Sequence, residues 1–372
     1  MASYTNSRAD GRALDIAMAD VLRRMLGRVS WLKGWEARAS GETGPAWDII
    51  ARGPLPDGGK GLLCVEVKRH FTPSQFLGLV DRPYPQGPYR IASRVLAMPR
   101  VSPRLASLCA EHGWSWFDLA GNCRLELAGV FLIERSGNQP MRSERLPGAN
   151  LGTPEAARVV RALLAPENSG RRWTQRDIVD HFADLPVLMP APSLALVNKV
   201  VQHLRAEAFL DQTHGGGFTV RDHEGLLRAW KAAYRFGRHA RHPYFTLLRG
   251  KVLLERLRRF APDRVAFAAF SAADIQAPAV RQPLTWLFVD PFAESELREA
   301  LEAKPVDSGE NIIVLVAADP AVFYMTEAGA DRPACTNAVQ TYVDSAHVGG
   351  RGDEAAEAIL QQRLKPAWAA AR

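Results

Sequence analysis

Two short apolar runs joined by a segment rich in turn residues constrain the first third of this chain most strongly. Residues 47–51 and 62–67 are predicted strands, and Gly-Pro-Leu-Pro-Asp-Gly-Gly at residues 53–59 favours a turn between them. Upstream, apolar residues recur at the spacing of an amphipathic helix, at Leu14, Ala17, Val21 and Met25. We therefore expect a helix followed by two paired strands.

The elements that follow continue to alternate between helix and strand. They are a helix from Thr72, a strand over Arg94–Met98, a helix opened by Ser102 and Pro103 and ended before Gly113, and strands through Phe117 and over Val130–Glu134. This alternation predicts a mixed α/β domain over residues 1–136. Residues 137–150 are polar and rich in turn formers, so we expect them to form a linker.

A different pattern, of short helices, follows over residues 151–243. Helix-opening signals stand at Thr153-Pro154, at Thr174 with Asp177 three residues later, and at Pro192-Ser193. The glycine-rich stretch of residues 213–220 then favours a hairpin. This is the element order of a winged helix-turn-helix domain, in which the second helix-turn-helix element enters the major groove of DNA.

The third of these helices separates an apolar face from a polar one. The apolar residues suited to a core are Val197, Val200, Val201, Leu204 and Ala208. Asparagine, glutamine and arginine can bond base edges in the major groove, and lysine suits phosphates. The residues predicted to bind DNA are Arg171, Arg172, Arg176, Ser193, Asn198, Lys199, Gln202 and Arg205. The alternative is an ordinary solvated face, or one at a protein interface.

Composition and charge agree with a globular protein that has a polyanionic partner. Apolar residues make up 47% of the 372 residues and charged residues 23%, and the net charge of +7 is concentrated in the middle third. No apolar run suits a membrane span, and no secretory signal opens the chain. The four cysteines have neither zinc nor disulfide spacing. We therefore expect a cytoplasmic protein.

Three chemically reactive residues lie on the two predicted strands of the first segment. Strand alternation places Glu66 and Lys68 on one face, and Asp48 lies on the preceding strand. Asp48 followed by Glu66-Val-Lys68 resembles the D…(D/E)-x-K pattern of the restriction-endonuclease-like, or PD-(D/E)XK, superfamily. The resemblance implies that Asp48 and Glu66 are ligands of Mg²⁺ and that Lys68 is the catalytic amine of a DNA endonuclease.

The match to that pattern is incomplete. Trp47 rather than proline precedes Asp48, although Pro45 is close. Many relatives carry a glutamate on the first helix, where this chain offers only Asp15 or Asp20. So short a pattern is also compatible with a surface acid and an ion pair at a strand end. The strand context of the three residues still predicts a restriction-endonuclease-like fold. Whether such a domain is catalytically active stays open.

The last segment carries a second resemblance, spread over several short motifs. These motifs are Phe270–Pro278, Gly309–Leu315, Val339–Asp344 and Gly350–Glu357. With the predicted winged helix they look like the antitoxins of type IV abortive-infection toxin–antitoxin systems. The resemblance implies a repressor that binds promoter DNA and opposes a nucleotidyltransferase-type toxin. It also implies a C-terminal α/β domain over residues 244–372, whose strand Leu284–Asp290 and helix Asp353–Leu364 would serve dimerisation or a partner.

Three functional hypotheses follow from these patterns. The first is a DNA-binding transcriptional regulator resembling type IV antitoxins, with a nuclease-like N-terminal domain. The alternative is a Mg²⁺-dependent DNA endonuclease targeted by its winged helix, and a third hypothesis is a protein-interaction scaffold with an inert nuclease-like domain. The expected partners are double-stranded DNA, a nucleotidyltransferase-type toxin and a second copy of the chain. Asp344, Arg351 and Glu354 are expected to form a structural ion-pair network rather than a catalytic centre.

Overall fold

The computed structural model describes residues 2–40, 47–84, 87–138, 148–185, 189–329 and 332–370. The chain divides into two compact units, residues 1–146 and 147–372. Residues 139–147 of the predicted linker, and Pro45, lie outside the described residues. Two units of mixed helix and strand confirm the predicted mixed α/β, multidomain class. The finer division of the second unit at residues 243 and 244 stays a prediction.

The first unit is built on one mixed sheet. Its elements are α1 (Ala2–Gly27), β1 (Glu36–Ala39), β2 (Ile49–Pro54), β3 (Lys60–Val67), α2 (Pro73–Leu77), β4 (Ile91–Met98), α3 (Pro103–Glu111), β5 (Ser115–Asp118), β6 (Cys123–Leu127) and β7 (Phe131–Arg135). In the described part of the unit the seven strands lie in sequence order. Strands β3, β4 and β5 are parallel to one another, and the other neighbours are antiparallel. The sequence predicted β2 to β5 and β7 but missed β1 and β6.

The core of the first unit lies on the sheet face that packs against α1. Met18 and Leu22 of α1 are fully buried with Ile49 and Val65, which lie opposite each other on β2 and β3. Because side chains alternate along a strand, Glu66 points to the other face of β3. The carboxylate of Glu66 therefore points away from the core that lies under α1.

The second unit begins with the predicted helices and hairpin. Its first elements are α4 (Pro154–Leu164), α5 (Gln175–Ala183), α6 (Leu194–Ala206), β8 (Leu210–Gln212), β9 (Phe218–Val220) and α7 (His223–Ala233). The predicted caps are confirmed: Thr153 and Ser193 cap α4 and α6, and Thr174 with Asp177 forms a capping box on α5. We call residues 210–220 the wing. Trp173 extends the wing sheet, since its N–H donates to the Phe218 carbonyl and its own carbonyl accepts from the Phe218 N–H.

A second mixed sheet follows in the same unit. Its elements are β10 (Ala240–Phe245), α8 (Gly250–Leu257), β11 (Val265–Phe267), α9 (Ala269–Gln276), β12 (Thr285–Val289), α10 (Glu294–Ala300), β13 (Lys304–Pro305), β14 (Ile312–Val316), β15 (Glu327–Gly329), β16 (Arg332–Cys335), α11 (Ala338–Ser345), α12 (Gly352–Ile359) and α13 (Lys365–Ala370), with a π-helical turn at Leu360–Leu364. The strand order is β13-β10-β14-β12-β11-β16-β15. The predicted strand Leu284–Asp290 is confirmed as β12, which lies parallel to β14.

Helices α4 to α7 and the second sheet share one apolar core. A single cluster of buried side chains runs from Leu151 on the entry to α4 to Trp368 on α13. The indole N–H of Trp368 donates to the Leu164 carbonyl of α4 over 3.0 Å. The orientation of α4 relative to the second sheet is therefore held by close packing. Among the described residues, no helix combines the length and the apolar character needed to cross a membrane.

Candidate functional site

The exposed face of α6 carries the polar residues that the sequence singled out. Asn198, Lys199 and Gln202 are exposed, whereas the helix buries its opposite side completely. The buried residues of that side are Val197, Val200, Val201 and Leu204. A helix with this division can lie in a groove without exposing its apolar face. The amide and ammonium groups of α6 are therefore available to base edges and phosphates.

Gln175, at the first position of α5, contacts α6 directly. Its Nε2 donates to Oδ1 of Asn198 over 3.0 Å. This hydrogen bond joins α5 and α6 through their side chains. Gln175 was not among the predicted site residues, although the capping box that places it beside α6 was recognised in the sequence.

Two arginines that precede α5 contact the wing or Trp173 beside it. Nε of Arg172 donates to the Gly216 carbonyl at the wing tip over 3.0 Å. The guanidinium of Arg171 lies 3.9 Å from the centre of the Trp173 ring. Both side chains remain exposed, so their positive charge adjoins the wing and is open to a polyanion.

The other predicted DNA contacts differ in exposure. Arg176 is exposed on α5. Ser193 is exposed, and its hydroxyl accepts a hydrogen bond from the Leu196 N–H as the cap of α6. Arg205 is only half-exposed, because its guanidinium lies over the Phe218 ring of the wing at 5.5 Å. Their roles in binding DNA stay predictions.

In the first unit the structure brings together the three residues of the nuclease-like pattern. Asp48 lies directly before β2, Glu66 lies near the end of β3, and Lys68 lies directly after it. The N–H of Val67 donates to Oδ2 of Asp48 over 2.8 Å. Nζ of Lys68 pairs with Oε1 of Glu66, and the Arg82 guanidinium pairs with Oε2. Glu66 therefore lies between two cations.

A fourth acid from α1 lies in the same electrostatic neighbourhood. The pKa of Asp15 is raised from 3.8 to about 6, first by burial and then by the charge of Asp48, while Lys68 acts in the opposite direction. Asp15 was one of the two first-helix acids considered from the sequence. Its coupling to Asp48 identifies it, rather than Asp20, as the acid that adjoins the nuclease-like residues.

The donor atoms at this position do not fit a magnesium ion in their present arrangement. Both oxygens of Glu66 are paired with cations, and one oxygen of Asp48 accepts a backbone N–H. Arg82 is also held over the Trp47 ring, 4.5 Å from its centre. Across the described ranges, no group of three or more His, Cys, Asp or Glu side chains is placed to hold a metal.

The second unit contains a buried polar network that the sequence did not predict. Nε of Arg161 on α4 donates to Oε1 of Gln340 over 2.7 Å, and Nε2 of Gln340 donates to Oδ1 of Asp344 over 2.8 Å. The Tyr234 hydroxyl also donates to Asp344, and Nε2 of His239 lies 3.1 Å from that hydroxyl. The available signal was a pair of arginines, Arg158 and Arg161, among the mostly apolar residues of α4.

The expected network of Asp344, Arg351 and Glu354 is only half correct. Arg351 and Glu354 form an exposed ion pair, with Nη2 2.6 Å from Oε2. Asp344 is fully buried and belongs instead to the network of Arg161, Gln340 and Tyr234. Position along α11 decides this, because Asp344 faces the core whereas the pair lies at the exposed start of α12.

Comparison with known proteins finds a similarity, and it lies in the second unit. Residues 219–365 match the family described as "Transcriptional regulator, AbiEi antitoxin, Type IV TA system". The match begins within β9 and ends at the first residue of α13, so it leaves out α4 to α6 and the first unit. It includes the motifs that suggested this family in the sequence. No curated protein and no solved structure gives a significant match to the chain.

Proposed function

We propose that this chain is a transcriptional regulator of the type IV antitoxin class that binds double-stranded DNA with α6 in the major groove. One observation carries the proposal: α6 buries its apolar side and presents Asn198, Lys199 and Gln202 to solvent beside the wing. Amide side chains in this position suit base edges, and the lysine suits a phosphate. The family domain at residues 219–365 supports regulation as the biological role.

The residues that flank α6 are proposed to contact the DNA backbone. Arg171, Arg172 and Arg176 supply exposed positive charge on the approach to α5 and the wing. The Ser193 hydroxyl accepts from the α6 backbone and keeps its own O–H to donate to a phosphate. Arg205 would reach the backbone near the wing. Contacts of this kind set the register of a protein on DNA without reading sequence.

The proposed partners follow from the same regulator class. A homodimer would place two copies of α6 on half-sites about one helical turn, roughly 10 base pairs, apart. A nucleotidyltransferase-type toxin is the proposed protein partner.

The test is selection of binding sites from a randomised DNA duplex library, followed by affinity measurements on the enriched sequence. We expect Asn198→Ala and Gln202→Ala to reduce discrimination between bases. Lys199→Ala is expected to weaken binding to all sequences and to make the log–log salt slope shallower by about 0.9. Lys251→Ala on α8 removes the same charge from an exposed lysine and serves as the control. Enrichment of no sequence, or equal effects of Lys199→Ala and Lys251→Ala, would contradict α6 as the DNA-reading element.

A metal-dependent endonuclease remains a second candidate on one specific observation. Asp48, Glu66 and Lys68 meet at adjoining ends of β2 and β3, with Asp15 of α1 electrostatically coupled to them. This candidate requires Glu66 to leave Arg82 before it could bind Mg²⁺. Regulation is the function better supported, because α6 needs no such rearrangement to contact DNA.

A further inference from the structure

The hydrogen bond between Gln175 and Asn198 fixes which end of the Asn198 amide faces away from α5. Nε2 of Gln175 donates to Oδ1 of Asn198 over 3.0 Å. A carboxamide has one accepting end and one donating end. With Oδ1 turned toward α5, the Nδ2 amino group is the end directed toward another partner. Asn198 is exposed, so that partner can be a base edge.

We propose that Gln175 is a specificity-determining residue that makes Asn198 read DNA as a hydrogen-bond donor. The inference rests on the proposed function, because it assumes that α6 enters the major groove. Guanine offers N7 and O6 acceptors there, adenine offers N7, and thymine offers O4, whereas cytosine offers only the N4 amino donor. An Asn198 that donates through Nδ2 can therefore bind guanine, adenine or thymine at the position that it contacts, but it cannot bind cytosine there.

Substitutions at Gln175 can separate amide orientation from simple loss of a contact. In Gln175→Glu the carboxylate only accepts hydrogen bonds, so Nδ2 of Asn198 must turn toward α5 and Oδ1 must turn outward. The outward oxygen then favours the amino groups of cytosine or adenine. In Gln175→Lys the ammonium only donates, which preserves the original orientation. We therefore expect the two variants to have opposite preferences between cytosine and guanine or thymine at one position.

Charge changes from these substitutions affect a different quantity. Glutamate weakens and lysine strengthens attraction to phosphates, but each acts on every DNA sequence alike. The ratio of affinities for two sequences that differ at one base pair therefore cancels the charge effect. Loss of structure would likewise lower all affinities without reversing a preference. If Gln175 had a merely structural role, its substitution would leave the base preference unchanged. The base preference is therefore the quantity to measure.

The experiment first locates the base pair read by Asn198, as the position whose preference is lost in Asn198→Ala. Competition binding with four duplexes then measures each base at that position in the wild type, Gln175→Glu and Gln175→Lys. We expect the wild type and Gln175→Lys to disfavour cytosine by about tenfold or more, and Gln175→Glu to favour cytosine or adenine over guanine and thymine. Asn198→Asp, which presents only acceptors, should show the preference of Gln175→Glu.

The outcomes separate this inference from the function on which it rests. If Gln175→Glu and Gln175→Lys both keep the wild-type preference while Asn198→Ala abolishes it, Gln175 does not orient Asn198 and the inference is wrong. If Asn198→Ala changes preference at no position, or the wild type selects no sequence, then the proposed role of α6 itself has failed.

Discussion

Arg161 on α4 and Gln340 on α11, although 179 residues apart in the chain, share a buried hydrogen bond of 2.7 Å from Nε to Oε1. Both side chains are at most 4% exposed. The Arg161 guanidinium also lies 5.0 Å from the centre of the Trp230 ring. A buried charge is costly unless polar partners replace water. Gln340 therefore connects α11 to α4 by supplying a polar partner to the buried charge of Arg161.

Gln340→Ala is expected to destabilise the chain by about 2–4 kcal/mol, because it leaves the buried Arg161 guanidinium without its acceptor. The same change removes donors to Tyr234 and Asp344. Urea unfolding monitored by circular dichroism measures the loss. Gln361→Ala is the matched control, since Gln361 is exposed and bonds only Glu357 of its own helical segment among the contacts described. Its expected effect is within about 0.5 kcal/mol. Equal effects of the two changes would contradict this account of the network.

Asp344 and His239 are expected to oppose each other in the pH dependence of stability. Burial raises the pKa of Asp344 from 3.8 to about 7 and lowers that of His239 from 6.5 to about 4. Between these limits the folded protein keeps a proton on Asp344 and none on His239, and the unfolded chain does the reverse. Rising pH thus costs stability through Asp344, between about 4 and 7. It restores stability through His239, between about 4 and 6.5.

Asp344→Asn and His239→Gln separate these two contributions. Relative to the wild type, Asp344→Asn should gain stability as pH rises from about 4 to 7, by a few kcal/mol at about 1.4 kcal/mol per pKa unit. His239→Gln should lose relative stability between about 4 and 6.5. Chemical unfolding at a series of pH values measures both differences. Parallel pH profiles of the two variants would show that the pair does not titrate in this way.

Gly217→Ala is expected to disrupt the wing. Gly217 has φ of +86°, and a Cβ there would lie 2.7 Å from the Trp173 carbonyl oxygen, which accepts the Phe218 N–H. Gly216→Ala is the matched control, because Gly216 has φ of +83° but open space around the added Cβ. Each substitution is expected to lower the free energy of unfolding by about 1–2 kcal/mol, because it places a Cβ on a left-handed backbone. Only Gly217→Ala should also displace Trp173, with a larger loss of stability and of DNA affinity. If the two variants have the same stability and the same DNA affinity, the wing does not depend on this contact.

Plasmid DNA incubated with the chain and Mg²⁺ or Mn²⁺ is expected to stay intact. Lys68 and Arg82 occupy the two oxygens of Glu66, which leaves that carboxylate no oxygen for a metal without displacing a cation. Gel electrophoresis of supercoiled, nicked and linear forms is the measurement. Cleavage by the wild type that disappears in Lys68→Ala would establish the endonuclease instead. Lys60→Ala, at the other end of β3, controls for the lost charge.

Features decided by neighbouring residues were predictable from the sequence. The capping box of Thr174 and Asp177 spans three residues, and the cap of α6 needs only Ser193 and the backbone that follows. The polar face of α6 and the pairing of β2 with β3 follow from periodicities of a few residues. By contrast β10, which carries Pro243 and alternates weakly, becomes a strand through pairing with β13 and β14. Its partners lie about 60 or more residues away in the chain, beyond any local pattern.

The sequence by itself determined which residues could carry function: Asp48, Glu66 and Lys68 on two strands, and Asn198, Lys199 and Gln202 on one helix. Only the tertiary structure decided which partners these side chains have. It pairs Arg82 with Glu66, hydrogen-bonds Gln175 to Asn198, and buries Arg161 beside Gln340. The physical reason is that periodicity places a side chain on a face, whereas its hydrogen-bond partners depend on which distant element packs there. Those partners govern charge, orientation and pKa.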